Sequence, residues 1–161
     1  MNSLAPNTLA WGLVAVWLTT TVLQHEPAKK DDTVKLGNFS VCLNVKDIRA
    51  SKAFYEKLDF VQVAGQLDQN WVVLQNGTTN VGLFQGMFEK NSLCFNPGWD
   101  AQKKTLPDFQ DVRELQKTLK GRGLKLQTEA DETGDGPASF TLVDPDGNPV
   151  LVDQHVPRPK R

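Results

Sequence analysis

The side chains best suited to chemistry occur in two copies of one short pattern, SVCLN at 40–44 and SLCFN at 92–96. In each copy a serine, a cysteine and an asparagine alternate with other residues, so on a β-strand these three side chains face the same side. Hydroxyl, thiol and amide groups can all hydrogen-bond a small ligand. The residues concerned are Ser40, Cys42, Asn44, Ser92, Cys94 and Asn96.

The cysteines Cys42 and Cys94 are the whole cysteine content of the chain. Two cysteines without a C-x-x-C motif exclude a disulfide-dense secreted scaffold and a zinc finger. Each lies in an apolar, strand-like run, so we expect two buried thiols. A disulfide remains the alternative if the two strands are adjacent. No histidine partner is evident near either cysteine, and a G-x-S-x-G motif is absent, so nucleophilic catalysis is not favoured.

The other polar motifs favour structural roles. His155 follows the last apolar run, and we expect it to be a surface histidine, with a position near the cleft as the less favoured alternative. The acidic segment 129–136 (EADETGDG) lacks the spaced D-x-D-x-D-G frame of a calcium loop, so it predicts a solvated loop. The segment 144–147 (DPDG) is typical of a hairpin turn.

Composition limits the class of protein. The chain has 161 residues, of which 39% are hydrophobic and 23% charged, which predicts one ordinary folded domain. Its formal net charge of -1 argues against a nucleic-acid-binding protein or a general binder of anionic membranes. The basic tail 157–161 (PRPKR) is short, and we interpret it as a solvated terminus.

The N-terminal residues 1–25 differ from the rest of the chain. The run Leu9–Leu23 carries no charge, and a polar, charged linker follows at 26–35. Three interpretations stay open: an uncleaved membrane anchor, a secretory signal peptide, or a helix that packs on the domain. We favour membrane targeting, with the anchor slightly ahead of the signal. Lys29 and Lys30 follow the run, which predicts a cytoplasmic domain for an anchor, whereas a cleaved signal implies export.

The domain at 36–156 is predicted to consist of two similar modules, at 36–87 and 90–156. In each, an alternating strand precedes an amphipathic helix, at 48–58 or 108–123, and three short strands separated by turn residues follow. The order β-α-β-β-β therefore occurs twice, which gives an α+β fold with an internal repeat. Two curved, mixed sheets side by side would turn their polar faces toward a shared cleft.

Two segments resemble a known family. The sequences VKDIRASKAFYEKLDF (45–60) and DPDGNPVLV (144–152) are similar to segments of the vicinal oxygen chelate superfamily. That superfamily includes glyoxalase I, extradiol dioxygenases, methylmalonyl-CoA epimerase, and the bleomycin and fosfomycin resistance proteins. The resemblance covers roughly 36–156 and implies paired βαβββ modules around a cleft. It implies less about chemistry, because one fold hosts many functions.

The resemblance also implies where a metal would bind. In metal-dependent members, four strand positions supply His, Glu or Gln ligands, and the metal stabilises negative charge on the substrate. These positions fall on Ser40, Gly82, Ser92 and Leu151 in this chain. None of these residues is a good ligand for a transition metal or a hard divalent ion. We therefore predict no cofactor and assign no metal ligand, with a divalent metal as the family alternative.

Aromatic residues near the expected cleft have two interpretations each. Trp71, on the predicted third strand, can stack on a flat ligand or fill the core. Phe84 alternates with Gly82 and so shares its face. Trp99 follows the second polar pattern and can cap the cleft, although a packing role is favoured.

These patterns favour a metal-independent protein that binds a small, partly polar organic molecule, with no catalytic residue assigned. One alternative is a metal-dependent enzyme of the lyase, isomerase or dioxygenase type, and another is a protein-interaction module with a vestigial cleft. A homodimer is also possible, since family members exchange modules between chains. The predicted cleft residues are Ser40, Cys42, Asn44, Trp71, Gly82, Phe84, Ser92, Cys94, Asn96 and Leu151.

Overall fold

A computed structural model describes residues 33–160 of the chain. The repeated order β-α-β-β-β, predicted from the sequence, is present in this part of the chain. The elements of the first module are β1 (Asn38–Asn44), α1 (Ile48–Glu56), β2 (Val61–Gln66), a 3₁₀ turn (Leu67–Gln69), β3 (Trp71–Asn76) and β4 (Thr79–Phe84). The elements of the second module are β5 (Ser92–Asn96), α2 (Val112–Gly121), β6 (Leu126–Thr128), β7 (Ala138–Val143) and β8 (Pro149–Gln154).

The strands form one continuous sheet of eight in the order β2-β3-β4-β1-β5-β8-β7-β6. Within each module the first strand pairs in parallel with the last, β1 with β4 and β5 with β8. Between the modules, β1 and β5 pair antiparallel. The sequence predicts two paired sheets, whereas the structure has a single mixed sheet, because the first strands of the two modules are hydrogen-bonded neighbours.

Helix α1 begins where the sequence predicts. The Asp47 carboxylate accepts hydrogen bonds from the backbone N–H groups of Arg49 and Ala50, at 2.9 and 3.0 Å. Such a cap satisfies N–H groups that have no partner within the helix. The helix covers the core of the first module, a cluster of Ile48, Val72, Leu74, Val81 and Leu83.

Helix α2 begins at Val112, four residues later than the predicted start at 108. The reason is the cap, because the Asp111 carboxylate accepts the N–H of Arg113 at 2.9 Å. At the other end, Gly123 adopts φ +84, a left-handed conformation that glycine takes without steric cost. The core of this module contains Val112, Leu115, Leu119, Ala130, Phe140 and Val152.

A buried polar network fixes the end of β8 against the start of α2. Gln154 accepts the N–H of Val112 at 2.8 Å and donates to the Asp111 carboxylate at 3.0 Å. The guanidinium of Arg113 lies 3.4 Å from the same carboxylate and also donates to the carbonyl oxygens of Asp131 and Gly136. Buried polar groups whose bonds are all satisfied hold their elements in one arrangement.

The cysteines depart from the main expectation. Cys42 and Cys94 form a disulfide with a Cα–Cα distance of 6.4 Å, so the prediction of two free thiols was wrong. In the β1–β5 ladder Cys42 lies opposite Ser92, and Cys94 lies opposite Ser40. The cysteines are therefore diagonal neighbours on one face, within the distance that a disulfide spans.

The predicted N-terminal segment at 1–25 lies outside the described residues, as do most of the linker and Arg161. In the range 33–160, the helices are too short or too polar to cross a membrane. Membrane targeting stays a prediction.

Candidate ligand-binding cavity

The face of the sheet opposite the helices forms a cavity of about 950 Å³. Alternation along the strands divides the two faces. On β1, Val41 and Leu43 pack against the core under α1, whereas Ser40 and Cys42 line the cavity. On β8, Val152 belongs to the core. Both modules contribute walls, so the cavity lies across the junction that the sequence repeat predicts.

One end of the cavity is rich in amides. Asn38 and Asn96 lie opposite each other on β1 and β5, and both are buried. Asn80 donates to the side-chain oxygen of Asn38 at 3.2 Å and to the Ala101 carbonyl at 3.0 Å. Asn96 donates to the backbone carbonyl of Asp153 at 3.1 Å. These bonds fix the amide planes that border the cavity.

The same end carries a carboxylate and an imidazole. The His155 Nε2 atom lies 3.3 Å from Asp153 Oδ2, and the His155 ring stacks on Trp99 with centroids 4.4 Å apart. All three side chains line the cavity. Burial raises the pKa of Asp153, while the charge of His155 opposes that rise.

A lysine joins this end from the loop between β5 and α2. Lys103 has φ +60, a left-handed backbone that costs a non-glycine residue about 1–2 kcal/mol. Its side chain lines the cavity, and burial lowers its pKa. Within residues 33–160, none of the ion pairs includes Lys103.

The middle of the cavity floor is formed by serine, glycine and leucine residues and by the disulfide. Ser40, Gly82, Ser92 and Leu151 all line it. The Ser92 hydroxyl lies 3.4 Å from the Cys94 sulfur. At Gly82 a Cβ atom would lie 2.6 Å from the Phe84 ring, so glycine leaves room for that ring.

The other end of the cavity is aromatic. Trp71 and Phe84 lie opposite each other on β3 and β4, with nearly parallel rings whose centroids are 6.4 Å apart. Phe88, in the following loop, packs on Phe84 at 5.1 Å. The Trp71 indole N–H donates to the Gln69 side chain at 3.3 Å, which holds the ring. This wall offers flat apolar faces to a ligand.

Nine of the ten predicted cleft residues border this one cavity. They are Ser40, Cys42, Trp71, Gly82, Phe84, Ser92, Cys94, Asn96 and Leu151. The tenth, Asn44, lies outside it. Its backbone N–H and side-chain amide bond instead to Asn91 and to the carbonyl of Glu89, so at the end of β1 it holds the loop before β5.

Several lining residues were missed by the sequence reasoning. His155 is exposed, as the sequence predicts, but it also borders the cavity, which was the less favoured alternative. Asp153 lies two positions after Leu151, so strand alternation could have placed both on one face. Lys103 lies in an irregular loop, where periodicity gives no signal. Asn38 and Asn80 belong to predicted strands, but nothing in the sequence showed that their amides would meet.

The residues at the family's ligand positions do not form a metal centre. Ser40, Gly82, Ser92 and Leu151 offer two hydroxyl groups and no imidazole or carboxylate. Across residues 33–160, no group of three or more His, Cys, Asp or Glu side chains could hold a metal ion. Metal sites of the family type need such groups, so the donor set does not fit a metal.

Comparison with protein-family models identifies a superfamily. The model of the Glyoxalase/Bleomycin resistance protein/Dioxygenase superfamily matches residues 39–152. These residues extend from β1 to β8 and so include both modules. The search of curated proteins found no match.

Solved structures share the fold at low sequence identity. A structure described as NAD-dependent benzaldehyde dehydrogenase from Legionella pneumophila has a TM-score of 0.55 and 18% identity, covering 73% of this chain and 98% of that one. A glyoxalase/bleomycin resistance protein/dioxygenase superfamily member from Vibrio splendidus 12B01 has a TM-score of 0.51 and 18% identity, with coverage of 73% and 97%. At these identities the likeness concerns the fold alone.

Proposed function

Because the chain belongs to the glyoxalase/bleomycin resistance protein/dioxygenase superfamily, we propose that it binds a small organic molecule in the sheet cavity without a metal ion. One observation carries the proposal. The cavity is large and formed by both modules, yet the four positions at which the family resemblance implies metal ligands hold Ser40, Gly82, Ser92 and Leu151. The space for a ligand is thus retained, while these four positions lack the groups that bind a cation.

The character of the lining supports a small-molecule ligand. Cavities of about 300–1,000 Å³ with mainly apolar walls and a few polar groups are typical small-molecule sites. This cavity has that volume and composition, with an aromatic wall at Trp71 and Phe84 and polar groups at Asn38 and Lys103. A vestigial cavity would have no need of an aligned aromatic wall opposite a polar end.

The proposal is tested by ligand-induced stabilisation of the full-length protein. A library of organic acids, phenols, amides and sugars is screened by thermal unfolding, since a ligand that binds only the folded state raises its stability. At ten times its Kd a ligand adds about 1.4 kcal/mol, or roughly 5 °C in Tm for a domain of this size.

A matched pair of variants locates the binding. Leu151→Trp fills the middle of the cavity, whereas Leu124→Trp adds the same ring at an exposed position outside its lining. We expect stabilisation by ligands to disappear in the first variant and to persist in the second. Equal stabilisation of both variants would show that the cavity is not the site.

Whether ligand binding depends on a metal ion is measured separately. Ligand stabilisation is compared before and after chelation, and the metal content of the purified protein is determined by mass spectrometry. We expect no change on chelation. Stabilisation that is lost with chelator and restored by a divalent ion would support the metal-dependent enzyme instead, and a library without any stabilising compound would favour the interaction module.

A further inference from the structure

The cavity changes character along its length. Strand register places Asn38 and Asn96 in one row across the sheet, with Asp153 bonded to Asn96 at its side. At the opposite end, Trp71 and Phe84 form the facing pair of β3 and β4. A ligand that lies along the strands therefore meets charged and amide groups at one end and flat apolar rings at the other.

The polar end has hydrogen-bond donors that nothing else uses. Within residues 33–160, no ion pair engages the Lys103 ammonium. Asn38 accepts a bond through its side-chain oxygen, and its side-chain NH₂ group bonds to no other described residue. Among the described residues, every fully buried side-chain polar atom has a partner, so this NH₂ group is not fully buried, and Asn38 borders the cavity. These free donors favour a ligand group that only accepts.

The ionisable groups of the lining differ in their partners and in their exposure. At this end, the Asp153 carboxylate has a partner in the His155 Nε2 atom, at 3.3 Å. Glu89 and Lys90 also line the cavity, but they are exposed, adjacent and of opposite sign. Within residues 33–160, Lys103 is the half-buried charged residue of the lining that is in no ion pair, and a poorly hydrated ammonium gains most from an anion beside it.

On the basis of the proposed function, we infer that the ligand is an aromatic carboxylic acid. Its carboxylate lies at the Lys103 and Asn38 end, and its ring system lies against Trp71 and Phe84. Charge-assisted bonds to an ammonium are stronger than neutral ones, and offset stacking adds to the apolar contact. The head group and the ring thus bind at separate places, which makes their contributions separable.

Three probes of one ring system test the head group: 2-naphthoate, 2-naphthylmethanol and 2-naphthylmethylamine. Each is titrated by calorimetry into the full-length protein at pH 7. We expect the carboxylate to bind at least fivefold tighter than the neutral alcohol, and the ammonium to bind most weakly. Equal binding of acid and alcohol, or tightest binding of the amine, overturns the anionic head group.

Two neighbouring lysines provide a matched pair of variants. Lys103→Met removes the ammonium that lines the cavity, whereas Lys104→Met changes an exposed lysine outside the lining. We expect Lys103→Met to weaken naphthoate about fivefold to tenfold, the range of a partly exposed charge-assisted bond. Its affinity for the alcohol should stay within twofold, which also shows that the variant is folded, and Lys104→Met should match the parent. A loss shared by acid and alcohol overturns the role of Lys103.

The ring position is tested separately. Trp71→Leu should weaken naphthoate and naphthylmethanol by the same factor, about twofold to tenfold, because stacking does not depend on the head group. Unchanged affinity for both probes overturns the placement of the ring. If none of the three probes binds, the aromatic-acid class is overturned, whereas the proposed function is decided independently by the library screen.

Discussion

Reduction of the disulfide should destabilise the domain strongly, because the bond joins two elements far apart in sequence. Cys42 lies on β1 of the first module and Cys94 on β5 of the second, with a sequence separation of 52. Both sulfur atoms are buried at the cavity floor. Cleaving the bond therefore frees a long loop in the unfolded chain and removes a covalent link across the module junction.

The expected magnitude follows from the loop length. For a loop of this length the chain-entropy model gives about 14 cal/mol/K, or about 4 kcal/mol at 25 °C. With an m-value of roughly 2 kcal/mol/M in urea, the unfolding midpoint should fall by about 2 M. The β1–β5 ladder and both cores remain, so the reduced protein should still fold where the parent stability exceeds this loss.

The measurement is urea unfolding with and without dithiothreitol, followed by fluorescence of the tryptophans. The double variant Cys42→Ser, Cys94→Ser is the control, and its midpoint should not respond to the reductant. Thiol titration of the denatured protein should find two thiols after reduction and none before it.

Two outcomes would refute the reasoning. If the purified, non-reduced protein has two titratable thiols when denatured, the disulfide is absent and the prediction of two buried thiols is correct. If the bond is present but its reduction moves the midpoint by less than about 0.3 M, then the unfolded chain is already compact around this loop, and the entropy model does not apply.

Three further predictions concern the elements that position the cavity. Asp111→Ala removes a buried carboxylate that pairs with a guanidinium group, and it should lower the free energy of unfolding by about 3–5 kcal/mol in urea unfolding. The control, Asp68→Ala at an exposed ion pair, should change the free energy of unfolding by less than about 0.5 kcal/mol. Burial raises the pKa of Asp111, but backbone and amide hydrogen bonds and two guanidinium charges outweigh this, so its pKa is lowered. Its contribution is therefore present above the unfolded pKa of about 3.9 and is lost as pH falls through the lower folded pKa, so in acid titrations followed by circular dichroism the Ala variant should lose less stability than the parent below about pH 4. Gly65→Ala should lower the free energy of unfolding by more than about 2 kcal/mol and shift the fluorescence of Trp71, because the new Cβ would lie 2.5 Å from the Trp71 carbonyl oxygen. The control, Gly77→Ala, is also at positive φ but in open space, and it should lower the free energy of unfolding by only about 1–2 kcal/mol, as measured by thermal unfolding.

Most of the fold could be predicted because its signals are local. Alternation along 38–45 and 92–96 marks the first strands, and the cap at Asp47 fixes the start of α1. The order β-α-β-β-β could then be recognised twice. The pairing between β1 and β5 could not be derived in this way, because the antiparallel contact between the modules depends on tertiary packing. That missing register is also why the disulfide was left as the alternative.

The lining residues of the candidate cavity could be predicted where they lie on strands, but not where they lie in loops. Ser40 and Ser92 belong to alternating segments, so their shared face follows from period two. Lys103 and Phe88 lie in irregular loops, where no sequence periodicity predicts the direction of a side chain. His155 follows the last strand, and its stacking on Trp99 depends on the path of a loop from the other end of the module.

The two faces of the sheet explain why family membership determines the fold more firmly than the chemistry. Helix-covered residues such as Val152 and Leu83 carry the cores, and the network at Asp111 fixes β8 from the same side. Leu151 lies on the other face and lines the cavity, where a change of side chain leaves the core packing intact. Residues of the metal positions can therefore be replaced without loss of the fold. If the proposed function holds, specificity in this chain comes from groups beside those positions, and Lys103 is the half-buried charged residue among the described lining residues that is in no ion pair.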